Sequence, residues 1–391
     1  MQELETLNVI IAGHIDHGKT TLLYKLSRKW ADTHSEELKR GITIKLGYSD
    51  VIIYKNGDYN IDKKGSPKRY ITFIDAPGHE MLMATMLSGA AIVDAAILVV
   101  AANEGIKPQT REHLMALQSK DIKNVIIVQN KIDLVTKEKA IENYNLIQKE
   151  FKGTIAENSL VIPVSSQQEI NLERIYEALC EIKIPIRNSD EVPLFLIARS
   201  FDINKPGTSP KNLHGTILGG TLKSGKLKIG DLIEVKPGVM TREANQLKYK
   251  TVKTKIASIF KGSNKINELF PGGNASIETE LDMAVGKSDS LSGCVASLEG
   301  KLPEIATKIA IKYNLFKEPI GGVQILPLKL SETIMLSINT SVTIGTISKL
   351  GPQEAEISLK IPVVPFKENK LGIARNVNNH WRLIGYGEII R

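Results

Sequence analysis

Residues Gly13-His14-Ile15-Asp16-His17-Gly18-Lys19-Thr20 follow the spacing G-x-x-x-x-G-K-[ST], directly after the apolar run 7–12. A buried strand that enters a glycine-bearing turn and leaves as a helix, here expected over 19–30, fits few folds. That geometry aims consecutive backbone N–H groups and the positive end of a helix at one point, where phosphate oxygens can sit. Lys19 is placed to reach the β- and γ-phosphates, and the Thr20 hydroxyl to ligate Mg2+. Asp16, His17, Gly18 and Thr21 complete the nucleotide contacts expected of this loop.

Three further motifs follow in order, each at the end of an apolar run. Asp75-Ala76-Pro77-Gly78-His79 comes after the run 70–74. Asp75 is positioned to hold the metal through water, and the Gly78 amide to meet the γ-phosphate. Asn130-Lys131-Ile132-Asp133 ends the run 125–129. The Asp133 carboxylate can accept from both the ring N–H and the 2-amino group of guanine, a paired fit that adenine does not offer. Lys131 can lay its alkyl stem along the base while Asn130 ties the loops together. Ser165-Ser166-Gln167 closes the run 160–164 and directs backbone amides to the guanine oxygen. A lone D-x-x-G is a weak signal, but four motifs in this order specify a guanine nucleotide. GTP and GDP are the expected ligands, with Mg2+ as cofactor.

The rest of the chain sets the frame. Strand and helix patterns alternate up to about residue 185, with helices expected over 79–91, 108–119, 137–151 and 171–182. That alternation implies an α/β domain with a doubly wound, mostly parallel sheet. The polar, proline-bounded stretch 185–193 reads as a linker, and short apolar runs between glycine and proline turns follow it. Two all-β barrels are expected there, giving domains over 1–187, 188–302 and 303–391. The insertion 56–68 is polar and lysine-rich, the pattern of an exposed hairpin or loop.

Two cysteines, Cys180 and Cys294, are too few for a zinc site or a disulfide framework. The most apolar segment, 95–102, is too short to span a bilayer, and no signal peptide is evident, so a cytoplasmic protein without membrane partners is expected. The formal net charge of +8 is compatible with nucleic acid without establishing it.

A GTPase domain followed by two barrels resembles the translational GTPases. The segments 40–48, 79–91, 199–207 and 380–387 narrow the resemblance to the gamma subunit of archaeal and eukaryotic translation initiation factor 2, and Asp16 and Thr20 to its archaeal type. The resemblance implies a GTPase that binds methionylated initiator tRNA in its GTP form and delivers it to the small ribosomal subunit. It also implies alpha and beta partner subunits. An elongation-type or selenocysteine-specific tRNA carrier is the alternative, and a non-hydrolysing scaffold is a third reading. The departures are local. The insertion 54–69 lacks the cysteines of the family's zinc knuckle, so no zinc is expected. Glu278 replaces a usual glycine in a neighbourhood expected near tRNA, and Ser166 replaces a usual alanine.

Individual roles follow from the resemblance together with the chemistry. Thr43, in the first switch, is expected to ligate Mg2+ when the γ-phosphate is present. His79 is the candidate that orients the attacking water. Ile15 and Ile42 either flank its path or simply pack. Asp16 and the Gly41 carbonyl either hold a second cation or face solvent. Met81, Met83 and Met86 fill the core or suit a helix that repacks between states. Tyr48 is the tRNA candidate, as part of an aminoacyl pocket. Arg242, Lys248, Lys250, Lys253, Lys255, Lys261 and Lys265 form either a phosphate-contacting run or a solubilising face.

Overall fold

The computed structural model describes residues 4–30, 46–77, 83–205, 207–243, 246–317 and 324–390. Gly41, Ile42, Thr43, Gly78, His79 and Met81 lie outside the described residues. The chain divides into two compact units, Met1–Pro185 with Leu315–Leu326 and Ala374–Gly385, and Ile186–Asn314 with Pro327–Ile373 and Tyr386–Arg391.

The first unit is built on a seven-stranded sheet in the order β3-β2-β4-β1-β5-β6-β7. The strands are β1 (Thr6–Gly13), β2 (Gly47–Asn56), β3 (Asp58–Asn60), β4 (Ser66–Asp75), β5 (Ala95–Ala101), β6 (Asn124–Asn130) and β7 (Val161–Pro163). From β4 to β7 every pairing is parallel. Parallel strands covered on both faces need nearly continuous apolar runs, and β1 and β5 are buried along their full lengths. β2 and β3 add an antiparallel edge, so the sheet is mixed.

The helices are α1 (Lys19–Ser27), α2 (Met83–Ala90), α3 (Pro108–Ser119), α4 (Lys137–Glu150) and α5 (Leu172–Glu181). α1 stops three residues short of the expected Trp30 because Arg28 turns left-handed, its N–H returning to the Tyr24 carbonyl. Trp30 then stacks on Tyr24 with ring centroids 4.4 Å apart. The α5 carbonyls are met by Arg69, whose guanidinium donates to the Leu179 and Ile182 carbonyls at 2.7 Å each. A cation there also complements the negative end of the helix.

The 54–69 insertion is a hairpin extension of the sheet edge, closed by an asparagine. Asn60 Oδ1 accepts from the Asp62 and Lys64 amides, and its Nδ2 donates to the Lys64 carbonyl. Tyr59 and Ile61 pack on the same core cluster as α5.

In the second unit β8 (Leu194–Phe201), β9 (Ile217–Ser224), β11 (Leu232–Glu243), β12 (Gln246–Lys261), β15 (Asn274–Thr279) and β16 (Val295–Leu298) form a ring, since β11 also pairs with β12. β13 (Asn264–Ile266) extends it, and β10 (Leu227–Lys228) pairs with β14 (Glu268–Leu269). A second closed barrel runs β17-β20-β19-β18-β21-β22, from β17 (Ala306–Leu315), β18 (Thr333–Ile338), β19 (Ser341–Leu350), β20 (Glu354–Val363), β21 (Lys370–Val377) and β22 (His380–Ile389). Lys236 is buried in the first barrel and donates to the Leu302 and Pro303 carbonyls and to Glu304. Glu234 accepts from the Leu302 amide at 2.8 Å, so the segment between the barrels is fastened by two buried charges. Among the described residues, no helix is long and apolar enough to cross a membrane.

Candidate nucleotide site

The phosphate loop joins β1 to α1. Gly18 is the N-cap of α1 at φ 88°, and no side chain caps the helix, so its first-turn amides are left for a ligand. A Cβ on Gly18 would lie 2.5 Å from Asn130 Nδ2, and one on Gly13 would meet the Val99 carbonyl oxygen at 2.4 Å. Both positions therefore need glycine for space as well as for their positive φ. Lys19 Nζ donates to the His14 carbonyl at 2.7 Å, so the ammonium lies across the loop. Burial pulls the Lys19 pKa below its ordinary value, with the Asp75 and Asp16 carboxylates opposing the shift. Asp16 is exposed in the left-handed region, and Thr21 is half-buried on the first turn of α1.

Thr20 Oγ1 donates to Asp75 Oδ2 at 2.9 Å, and Asp75 is fully buried at the end of β4. A hydroxyl beside a carboxylate is the hard oxygen pair that Mg2+ prefers, so these residues fit the expected ion. Tyr48, one residue into β2, is half-buried and pairs with Ile74, while Gly47 pairs with Asp75. The tRNA candidate thus stands beside the strand end that carries the metal-site carboxylate.

The base-binding motifs meet the phosphate loop through one side chain. Asn130 Nδ2 donates to the His17 carbonyl at 2.9 Å, and its Oδ1 accepts from the Ser166 amide at 3.0 Å and the Ser166 hydroxyl at 2.8 Å. The Ser166 amide, expected to face the guanine oxygen, is taken by Asn130 here. Serine in place of alanine adds a further hydrogen bond to that tie. Ser165 is buried, its hydroxyl accepting from the Gln168 amide at 3.1 Å, while Gln167 is exposed. Lys131 is left-handed at φ 63°, and Asp133 lies exposed in the short turn Ile132–Leu134. Asp133 also borders a cleft of about 630 Å3 with Glu104, Leu134, Lys139 and Leu146. No phosphate-loop residue lines that cleft, so it adjoins the nucleotide site without being it.

Sequence reasoning named His17 as a nucleotide contact but missed that its ring, with His113 and Glu104, holds the loop from behind. His17 and His113 are both buried. The His17 ring hydrogen-bonds the Val99 carbonyl through Nδ1, and Nδ1 of His113 accepts from the Gly13 amide at 2.9 Å. Burial pushes the His17 pKa down to about 4 and the His113 pKa down to about 3, so both rings are neutral near pH 7. Glu104 stands between the two halves of the site, 3.6 Å from Lys131 Nζ, 3.8 Å from Lys107 Nζ and 4.0 Å from His17 Nε2. Its signal was its position just beyond β5, at a strand end like the four motifs.

Away from the nucleotide loops, Glu278 accepts from Ser258 Oγ at 2.5 Å and lies 2.7 Å from His214 Nδ1. Burial opposes its ionisation, yet these two partners hold its carboxyl below the usual range. In the basic run Arg242, Lys248, Lys250, Lys253, Lys255 and Lys265 are exposed, Lys261 is half-buried, and Lys253 pairs with Glu299 at 2.6 Å.

Residues 4–185 match the family model of the elongation factor Tu GTP binding domain, and residues 307–389 that of initiation factor eIF2 gamma, C terminal. Translation initiation factor 2 subunit gamma of Methanococcus vannielii is 47% identical over 402 residues, covering 98% of both chains. The protein of that name from Pyrococcus furiosus is 45% identical over 398 residues, covering 98% of this chain and 97% of its own. Among solved structures, a bacterial selenocysteine-specific elongation factor superposes with a TM-score of 0.77 at 22% identity, over 99% of this chain and 58% of that longer one. SelB of Methanococcus maripaludis in complex with GppNHp gives 0.76 at 22% identity, over 100% of this chain and 80% of its own. At that identity the structures speak for the fold, whereas the near full-length relatives speak for the family. The chain belongs to the gamma-subunit family of translation initiation factor 2 and is a translational GTPase.

Proposed function

We propose that this chain carries methionylated initiator tRNA in its GTP state and delivers it to the small ribosomal subunit, working in the cytoplasm with alpha and beta partner subunits. The observation that carries this reading is the Asn130 tie between phosphate and base loops, in a chain whose last third matches the gamma-subunit model. In this reading 1–187 bind nucleotide, and 188–302 and 303–391 are the two barrels. The loop amides and Lys19 hold the phosphates, Asp133 reads guanine with Lys131 along the base, and Gln167 and the Ser165 region close the pocket. Thr20 and, in the GTP state, Thr43 would hold Mg2+, with Asp75 acting through water, and the bound ion would neutralise phosphate charge. Asp16 and Gly41 are the candidates for a second cation. His79 orients the attacking water and takes part only in the transition state. Tyr48 belongs to the surface that meets the charged end of the tRNA.

The γ-phosphate is sensed at Thr43 and Gly78, so tRNA affinity should follow the nucleotide with a coupling of about 1–3 kcal/mol. Charged initiator tRNA is expected to bind about 5–150-fold tighter with a GTP analogue than with GDP, measured with and without the partner subunits. Equal affinity in both states would remove the carrier role. Stronger competition by elongator or selenocysteinyl tRNA would favour the elongation-type alternative.

A further inference from the structure

Helix α3 carries Gln109, Glu112 and His113 at spacings of three and four residues, which places them on one face. His113 Nδ1 accepts from the Gly13 amide at 2.9 Å, and Gln109 Oε1 accepts from the Ile15 amide at 3.3 Å. Two backbone N–H groups of the phosphate loop are therefore held by one helix. Because the His113 ring is buried and neutral, with its proton on Nε2, it can accept at Nδ1. Between these two residues Glu112, 1% exposed, pairs with Arg382 Nη1 at 2.5 Å. Arg382 sits on β22 within Ala374–Gly385, the part of the last hairpin that belongs to the first unit.

We infer that α3 is a coupling element, in which Arg382 through Glu112 sets the position of the helix and Gln109 and His113 pass that position to the phosphate loop. The inference rests on the reading that this loop binds nucleotide. Removing the guanidinium takes a charged partner from a carboxylate that is 1% exposed, a loss the structure relieves by moving the helix or rehydrating the side chain. Either change loosens the acceptors behind Gly13 and Ile15, so a residue remote from the nucleotide governs how fast the nucleotide leaves. Arg382, Glu112, Gln109 and His113 are positioning residues, since none of them reaches the reacting atoms.

The test is the dissociation rate of a fluorescent GDP from the full chain. Arg382→Ala is expected to release it about five-fold faster or more, with Arg382→Lys returning part of the loss by restoring the charge. His113→Leu is expected to do the same. His113→Asn should recover most of the wild-type rate, because its Oδ1 takes the place of Nδ1. The Arg382→Ala, His113→Leu double variant should be no faster than the faster single variant, because both break one chain of contacts. Rates within two-fold of wild type for Arg382→Ala and for Glu112→Gln would overturn the coupling, as would strictly additive effects in the double variant. If Arg382→Ala does not fold, Arg382→Lys and Glu112→Gln carry the same comparison. Lys19→Ala separates the two levels. If it binds the nucleotide as wild type does, the loop assignment itself fails; if it loses binding while Arg382 variants are unchanged, only the coupling does.

Discussion

The phosphate loop and the base-reading loop serve one ligand and are built in opposite ways. The first is held from behind by buried groups, the ring nitrogens of His17 and His113 and the Val99 carbonyl, and beside it the half-buried Thr20 donates to the buried Asp75. The second presents Asp133 on the surface and leans on the first through Asn130 and the partly exposed Glu104. A site for a charged, flexible triphosphate gains most from being set before the ligand arrives. A flat base needs mainly two well-aimed acceptors, which can stay hydrated until it docks.

Breaking the tie should hurt both loops at once. Asn130→Ala removes the partners of the His17 carbonyl and of the Ser166 amide and hydroxyl, all buried, and GTP and GDP affinity should fall by about 10²-fold. An affinity within three-fold of wild type, by titration calorimetry, would show that the loops stand independently. Asp133→Asn should leave the phosphate half intact and cost about 10–10²-fold for GTP while raising affinity for XTP. Equal loss for both nucleotides would take Asp133 out of base reading.

The buried half should also carry its own acid response. With folded pKa values of about 4 for His17 and about 3 for His113 against an ordinary 6.5, the unfolded chain binds more protons below pH 6.5. Stability from this pair is therefore full above that pH and falls as the pH drops toward 4, by up to about 2.7 kcal/mol per unit for two protons. Denaturation followed from pH 7 to pH 4 tests this, and His113→Asn should remove about one proton from the slope. The smallest effect is expected at Glu104→Gln, which removes the carboxylate 3.6 Å from Lys131 Nζ at a partly exposed site. Nucleotide affinity should change by about three-fold or less. A ten-fold change would mean that Glu104 supports the site as firmly as the buried groups do.

The division of labour also explains what could be read from the chain alone. Gly13 to Thr20, Asp75, Asn130 and Asp133 are legible because each sits where an apolar run ends, and a parallel sheet gathers its strand ends on one edge. The helices 108–119, 137–150 and 172–181 are legible because their apolar faces repeat at helical spacing. His113 gave no such sign. Its partner amide lies 100 residues away, and a histidine in a helix looks the same whether it faces solvent or a glycine. Arg382 and Glu112 are separated by 270 residues, beyond any local pattern. The direction of the Ser166 amide depended on where the Asn130 side chain points, which spacing does not encode.

Lys236 and Glu234 bear on how the molecule can be dissected. Each is almost wholly buried, and both hydrogen-bond the stretch Leu302-Pro303-Glu304. A fragment of the first barrel ending before Leu302 would strip a buried ammonium and a buried carboxylate of these hydrogen bonds, whereas one ending after Glu304 keeps them matched. The seam between the two barrels in the sequence is therefore not where they should be cut. The first few residues after it are structurally property of the barrel before.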